Sequence, residues 1–366
     1  MTLENRLVEL IARRGPITFA EYMERALYDP DEGYYAGPDR TGWGGHYLTS
    51  PEIDPLFGEL WANGIEQIWT AAGAPEHFRV VELGPGEGGL AAAVLEAVQG
   101  RPLGAALSYL LVERSPAARR RQHARLGDRV SWIDSTDELS DLGTACVIAN
   151  EVFDNLPVHL FERSGERLLE VWVRVAQGRL TEALAPPRDP SLTADLQIPP
   201  GHRVEVCPAA GSLVTALAAG LTTGALIAID YGLESQYLRA RPEGTIVCYS
   251  DRGTDTRPLD RPGAKDITHH VDWTALRRAL TAPGLEVVGP ISQADVLRSL
   301  GAADADDRLH SEHRRALLDG RGADAVRALS RRQALGALLD TGGLGGLQVM
   351  AGLTGMETPS FLAPPR

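Results

Sequence analysis

The stretch from residue 78 to residue 90 limits the fold more than any other. Phe78-Arg79-Val80-Val81-Glu82-Leu83 is a short run suited to a buried strand. Gly84-Pro85-Gly86-Glu87-Gly88-Gly89 follows without a gap, and a helical run starts at Leu90. The unit recurs: Leu107 to Val112 is apolar before Ser115-Pro116 opens a helix, Arg129 to Ser131 is strand-like, and Ala145 to Ala149 reads as a buried strand. This rhythm predicts an α/β fold, a mostly parallel sheet with helices on both faces.

The flanks read differently. Leu3, Leu7, Leu10 and Ile11 recur at helical spacing until Gly15-Pro16. Thr18 and Glu21 form a capping pair for a second helix. Residues 29–35 read as a turn and 36–51 as an aromatic, glycine-rich loop, before an amphipathic helix over 54–71. Over 158–182, alternation in Leu168–Val175 and turns at Ser164-Gly165 and Gly178 predict an antiparallel excursion. A helix is expected over 208–222, a buried strand over Ala225–Asp230, loops over 231–272, charged helix over 304–340 and a last strand over Leu347–Met350. The expected organisation is a helical and lid segment over 1–75, a first part of the core over 76–157, an insertion over 158–224, and a return to the core over 225–366 with a helical excursion near 295–340.

Composition bears on partners. With 49 acidic and 36 basic residues the net charge is −13, which opposes non-specific attraction to nucleic acid or an acidic membrane. Three scattered cysteines, Cys146, Cys207 and Cys248, make no disulfide framework and fit a reducing compartment. No stretch approaches the ~20 apolar residues of a membrane span, and no signal peptide is visible. These features predict a cytoplasmic protein that binds neither nucleic acid nor membrane, and they leave a homodimer open.

The glycine turn points to a ligand across the carboxyl ends of the strands, because glycine lets a ligand approach the backbone and the helix behind it presents unpaired amides. Gly84, Gly86 and Gly89 satisfy a dinucleotide spacing, so the pattern alone does not choose between a dinucleotide, S-adenosylmethionine and a structural turn. Glu82 favours S-adenosylmethionine: a carboxylate repels a pyrophosphate but accepts hydrogen bonds from an amino-acid tail. Glu113, ending the next strand, would accept from ribose hydroxyls. Trp132 and Asp134, after the third strand, are candidates for stacking on adenine and meeting its amine; the alternative is a core tryptophan beside a surface acid.

A second cluster follows the fourth strand: Asn150-Glu151-Val152-Phe153-Asp154-Asn155-Leu156-Pro157. Acids and an amide at the end of a central strand are costly to leave unpaired. Glu151 and Asp154, three apart, would share a face of a helical turn. Paired carboxylates can hold a guanidinium by directed hydrogen bonds, whereas a neutral acceptor would need a tuned general base.

These segments bring a family into view. Gly15-Pro16-Ile17-Thr18-Phe19-Ala20-Glu21-Tyr22-Met23, Tyr28-Asp29-Pro30, Thr49-Ser50-Pro51-Glu52-Ile53, Val81-Glu82-Leu83-Gly84-Pro85-Gly86, the Asn150–Val158 motif, Asp230-Tyr231-Gly232 and Asp266-Ile267-Thr268-His269-His270 occur in order. In these the chain resembles the MidA-like family of S-adenosylmethionine-dependent methyltransferases, whose mitochondrial members methylate an arginine of a respiratory complex I subunit. The resemblance implies a Rossmann-like class I methyltransferase sheet with an N-terminal helical segment and a substrate-side α+β insertion. It implies S-adenosylmethionine as cofactor, with S-adenosylhomocysteine as product, bound by Glu82, Gly84, Pro85, Gly86, Gly88 and Glu113. It sets Thr49, Pro51 and Glu52 beside the cofactor under a lid over 43–53, and Asn150, Glu151 and Asp154 at the transfer site, with Glu52 a second-tier catalytic candidate.

The chain departs from the family where its usual GPGRGT reads Gly84-Pro85-Gly86-Glu87-Gly88-Gly89, where Asn155 replaces alanine, and at Trp273. The acceptor is expected to be a protein arginine or, as the rival, a small molecule with His46, His269 or His270 as base. A cofactor-binding assembly factor is the alternative outside enzymes. No metal site is expected: His310 and His313 lie on a charged helix, and the adjacent His269 and His270 diverge. Lys265, the only lysine, falls in a loop beside Pro262 and Gly263.

Overall fold

The computed structural model describes residues 1–37, 49–139 and 141–363. Its central sheet is built from β1 (Phe78–Leu83), β2 (Leu107–Val112), β3 (Ser131–Ile133), β4 (Gly143–Asn150), β5 (Leu221–Asp230), β6 (Glu286–Ser292) and β7 (Gln348–Thr354). The seven strands lie in the order β3-β2-β1-β4-β5-β7-β6. β1 to β5 are parallel, while β7 runs antiparallel to both β5 and β6. The expected runs at 78–83 and 107–112 coincide with β1 and β2. The last strand extends further than Leu347–Met350, and its partner β6 lies in a stretch the sequence patterns left unassigned.

Both faces of the sheet are covered, and β4 shows how. Cys146 and Ile148 point into one core with Leu56, Trp61, Ile65, Leu90 and Val94. Ala145, Val147 and Ala149 point into the other with Val214, Leu217, Trp273 and Leu276. Successive residues alternate across a strand, so a strand buried on both sides has no polar position to mark its period. On the first face, helix Leu56–Ala71 approaches helix Gly89–Ala97 so closely that a Cβ at Gly58 would lie 2.5 Å from the Ala93 Cβ. The charged helical region divides into Ala302–Leu318 and Gly322–Leu339.

The first two helices belong elsewhere. Leu3–Arg14 and Phe19–Tyr28 pack Leu7, Ile11, Phe19, Tyr22 and Met23 against Leu160, Val171 and Val173 of a second sheet. Thr18 caps the second helix, with Glu21 answering in a capping box. That sheet contains His159–Ser164, Arg167–Ala176, Arg179–Ala185 and Arg203–Val206, all antiparallel, as the alternation predicted. The region read as loops over 231–272 is more ordered than expected. It holds a three-stranded sheet of Val247–Ser250 between Gly253–Asp255 and Asp266–Thr268. Strands of three and four residues carry too little periodicity to be seen in sequence.

Candidate active site

The strand order reverses between β1 and β4, and the loops after these two strands leave in opposite directions. A crevice opens there. It is a cavity of about 830 Å³, walled by the glycine turn, the end of β2, the Asn150–Pro157 loop, and Tyr28, Tyr35, Tyr231 and Tyr249 from elsewhere. A Cβ added at Gly84 would lie 3.2 Å from the Val152 Cγ2, so the two loops are in contact.

In the glycine turn, Gly84, Gly86 and Gly88 have φ of 56°, 54° and 75°. A Cβ at Gly86 would meet nothing within 4 Å among the described residues, which makes the backbone there a cradle for a ligand. Pro85 and Glu87 also line the cavity. The Glu87 carboxylate pairs with Arg121 Nε at 2.8 Å, so the acid standing where the family has arginine is neutralised within the chain. Gly88 does not line the cavity. It caps helix Gly89–Ala97 in the left-handed conformation, where a Cβ would meet the Leu126 side chain at 2.9 Å.

Two acids end β1 and β2. Glu82 is 3 % exposed and accepts a hydrogen bond from the Tyr109 hydroxyl at 2.7 Å. Burial pushes its carboxyl up to about 8 despite that bond, and the nearby Glu52 charge adds to the shift. Glu113 accepts from the Ser115 amide at 2.8 Å and from Gln122 Nε2 at 3.0 Å, and burial raises its pKa as well. Asp134 lies on the cavity rim in an ion pair with Arg119.

Trp132 requires a correction. It lies within β3 rather than after it, its Nε1 donates to Gln122 Oε1 at 2.9 Å, and its ring stacks on His123 at 5.5 Å. It packs against the core and does not line the cavity. The strand begins two residues later than expected, so Trp132 lies inside it rather than on the loop that follows.

Thr49, Pro51 and Glu52 reach the cavity through the short helix Ser50–Ile53. Glu52 lies against the glycine turn, where a Cβ at Gly89 would sit 2.9 Å from its Oε1. The lid expected over 43–53 falls partly, and His46 wholly, outside the described residues.

On the opposite wall Asn150 ends β4, and the loop after it carries Glu151 and Asp154. Glu151 occupies the left-handed region at φ 52°, unusual for a residue with a side chain and characteristic of strained functional turns. Its Oε1 accepts from Asn150 Nδ2 at 3.1 Å, and the Ser50 amide also donates to it. Burial, followed by the Asp230 charge, raises its pKa to about 8. Asp154 is 5 % exposed, and burial, followed by Asp230, Asp266 and Glu151, pushes its carboxyl well up. Two buried acceptors here, Asn150 Oδ1 and Asp154 Oδ1, have no donor among the described residues.

Two further acids support this wall, Asp266 lining the cavity and Asp230 fully buried, and sequence reasoning gave them no role. Asp230, ending β5, accepts the amides of Tyr231 at 2.8 Å and of Phe153 at 2.9 Å. Asp266 accepts from the Tyr35 hydroxyl and from Asn155 Nδ2, each at 2.9 Å. The signal for Asp230 was present: it ends a buried run with an acid, as Glu82 does. For Asp266 no such pattern exists.

The histidines divide. The two ring nitrogens of His269 face carbonyl oxygens, Nδ1 that of His270 at 3.0 Å and Nε2 that of Leu156 at 3.2 Å, which leaves it fixed in the wall. His270 lines the cavity. His313 Nδ1 lies 2.8 Å from the Ala325 carbonyl, and His310 Nδ1 lies 3.3 Å from Arg332. Lys265 lies in a loop, as expected, but is buried and donates to both Asp255 oxygens at 2.8 and 2.7 Å, a structural cation.

Residues 60–291 match the family described as "Putative S-adenosyl-L-methionine-dependent methyltransferase". Mouse mitochondrial protein arginine methyltransferase NDUFAF7 is 32% identical over 328 residues, 81% of this chain and 73% of that protein. The human protein of the same name is 32% identical over 81% of this chain and 72% of its own. Among solved structures, a protein from Burkholderia thailandensis bound to S-adenosyl-homocysteine superposes with a TM-score of 0.85 at 31% identity, covering 98% of this chain and 94% of that one.

Fold and site are those of a Rossmann-like methyltransferase, an enzyme that takes its methyl group from S-adenosylmethionine. The chain belongs to the MidA-like family of S-adenosylmethionine-dependent methyltransferases. The expectation of a cytoplasmic protein is corrected by the same relatives, which are named as mitochondrial proteins. Among the described residues no helix is long and apolar enough to cross a membrane.

Proposed function

We propose that this enzyme transfers the methyl group to a guanidinium nitrogen of an arginine in a partner protein. The observation that carries the reading is the wall after β4. It presents the carboxylates of Glu151 and Asp154, and its acceptors Asn150 Oδ1 and Asp154 Oδ1 are buried with no donor among the described residues. Buried acceptors left without donors are costly, and a guanidinium supplies five N–H donors together with a positive charge. The names of the relatives agree with this choice.

The cofactor supplies an electrophilic methyl on a sulfonium. Glu82 would accept from the ammonium of its aminoacyl tail, the Gly84-Pro85-Gly86 backbone would pass beneath it, and Glu113 would accept from the ribose hydroxyls. Asp134, at the rim, would meet the adenine amine, and Thr49 and Pro51 would close the near side. Glu151 and Asp154 would orient the guanidinium and localise its charge away from the attacking nitrogen, with Glu52 nearer the donor. The nitrogen lone pair forms the new N–C bond as the C–S bond breaks. The proton that nitrogen then sheds passes to a carboxylate of the wall, for which a pKa raised towards neutrality is suited.

Whole lysate incubated with radiolabelled S-adenosylmethionine and the purified enzyme tests this. Label in a protein band that survives hydrolysis as methylarginine supports it, and Glu151→Gln should abolish that label while S-adenosylhomocysteine still binds. Label confined to a small product would overturn the protein acceptor. No label at all would favour an assembly factor.

A further inference from the structure

Two tyrosines that the catalytic reading leaves unused stand beside its carboxylates. Tyr231 directly follows Asp230, whose carboxylate accepts its amide at 2.8 Å. Tyr249 lies directly across a strand pair from Asp266. Both line the cavity that holds Glu151 and Asp154. Tyr231 is 39 % exposed, which sets it towards the mouth, whereas Tyr249 is half-buried. Burial, followed by Glu151 and Asp154, holds the Tyr231 phenol well above its ordinary range; burial, followed by Asp154, Asp266 and Glu151, raises that of Tyr249.

We propose that Tyr231 and Tyr249 form an aromatic wall that selects a planar guanidinium over an ammonium as the methyl acceptor. Carboxylates alone attract either cation. A compact, strongly hydrated ammonium gains little from a ring face, whereas a weakly hydrated planar guanidinium stacks on it while its edge donates to carboxylates. Asp154 Oδ1, buried without a donor, is an acceptor for that edge. The wall rests on the arginine reading given above and adds what would make the site choose arginine over lysine.

The test uses the full chain loaded with S-adenosylhomocysteine, titrated calorimetrically with N-acetyl-arginine methylamide and, separately, N-acetyl-lysine methylamide. The wild type should bind the arginine compound saturably and about tenfold more tightly than the lysine compound. Tyr231→Leu and Tyr249→Leu should each weaken the arginine compound about three- to tenfold, the range of a partly desolvated cation–π contact, and leave the lysine compound within about twofold. Tyr231→Phe and Tyr249→Phe should keep wild-type affinity, because the ring face and not the hydroxyl is what binds. Leucine variants that bind the arginine compound normally, or phenylalanine variants as weak as the leucine ones, would overturn the wall, as would a wild type that does not prefer arginine. Unchanged affinity for S-adenosylhomocysteine establishes that a variant is folded. Arginine labelling in lysate by a wild type whose leucine variants show no loss would sink the wall alone, whereas absence of arginine labelling removes both readings.

Discussion

The carboxylate of Asp230, the last residue of β5, accepts the backbone amide of Phe153 at 2.9 Å, a contact spanning 77 positions in the chain. A strand end thereby fixes the loop that carries Glu151 and Asp154. Among the described residues every donor to Asp230 is a backbone N–H, and an amide side chain in its place would turn one acceptor into a donor facing them. Asp230→Asn should therefore lower stability by about 1–3 kcal/mol and reduce methyl transfer by an order of magnitude or more, with S-adenosylhomocysteine affinity changed much less. Thermal unfolding, transfer assay and calorimetry on the same variant check this.

Glu82 gives the cofactor site a pH dependence. With a pKa near 8 in the ligand-free protein, it is largely protonated at pH 7. An ammonium placed against it favours the carboxylate, so binding should release a proton and tighten as pH rises from about 6 to 8. Calorimetric titration with S-adenosylhomocysteine in buffers of different ionisation enthalpy should show that proton, and Glu82→Gln should show none. An affinity flat over this interval would remove Glu82 from the cofactor's tail.

The acids also set how stability varies with pH. Asp230 and Glu151 have folded pKa values raised to about 7 and 8 from ordinary values near 4. For a carboxyl raised in the folded state, the contribution is fully present below the unfolded pKa and is lost as pH climbs through the folded one. The melting temperature of the ligand-free enzyme should therefore fall as pH rises from about 4 to about 8 and level off above that. Glu151→Gln, with one fewer buried acid to ionise, should fall less steeply.

Gly86 offers a backbone test. At φ 54°, alanine would cost about 1–2 kcal/mol, and its methyl would project into the cradle. Gly86→Ala should weaken S-adenosylhomocysteine at least tenfold while the melting temperature drops by only a few degrees. An equal loss in a variant that barely folds would show a structural role instead.

The first half of the sheet was legible because its signals are local. β1 and β2 are mostly apolar runs with an acid at or just after the strand end and a turn behind it, and Ser115 caps the helix after β2 with its side chain. The antiparallel excursion was legible for the same reason, its period being two. The rest depends on distant partners. Trp132 stayed open between a ligand-facing ring and a core residue because a two-residue shift in β3 cannot be seen in a strand of three. Among the described residues β6 pairs only with β7, and its run Glu286–Ser292 is interrupted by Gly289-Pro290, so it carries no clean alternation. In the site, Glu82, Glu113 and the Asn150–Asp154 segment announce themselves by standing at strand ends. Tyr249 and Asp266 come from short strands of a separate sheet, and only the folded chain brings them alongside Asp154.

The position of β7 has a consequence for how the enzyme is made. Residues 348–354 occupy an interior slot, paired to β5 on one side and β6 on the other. A ribosome that has delivered everything up to residue 347 has produced a sheet with a gap, and β6 has nothing to join. A premature stop shortly before this strand would strand β6 and expose the long apolar edge of β5, so loss of a few late residues should be as damaging as loss of the catalytic loop itself.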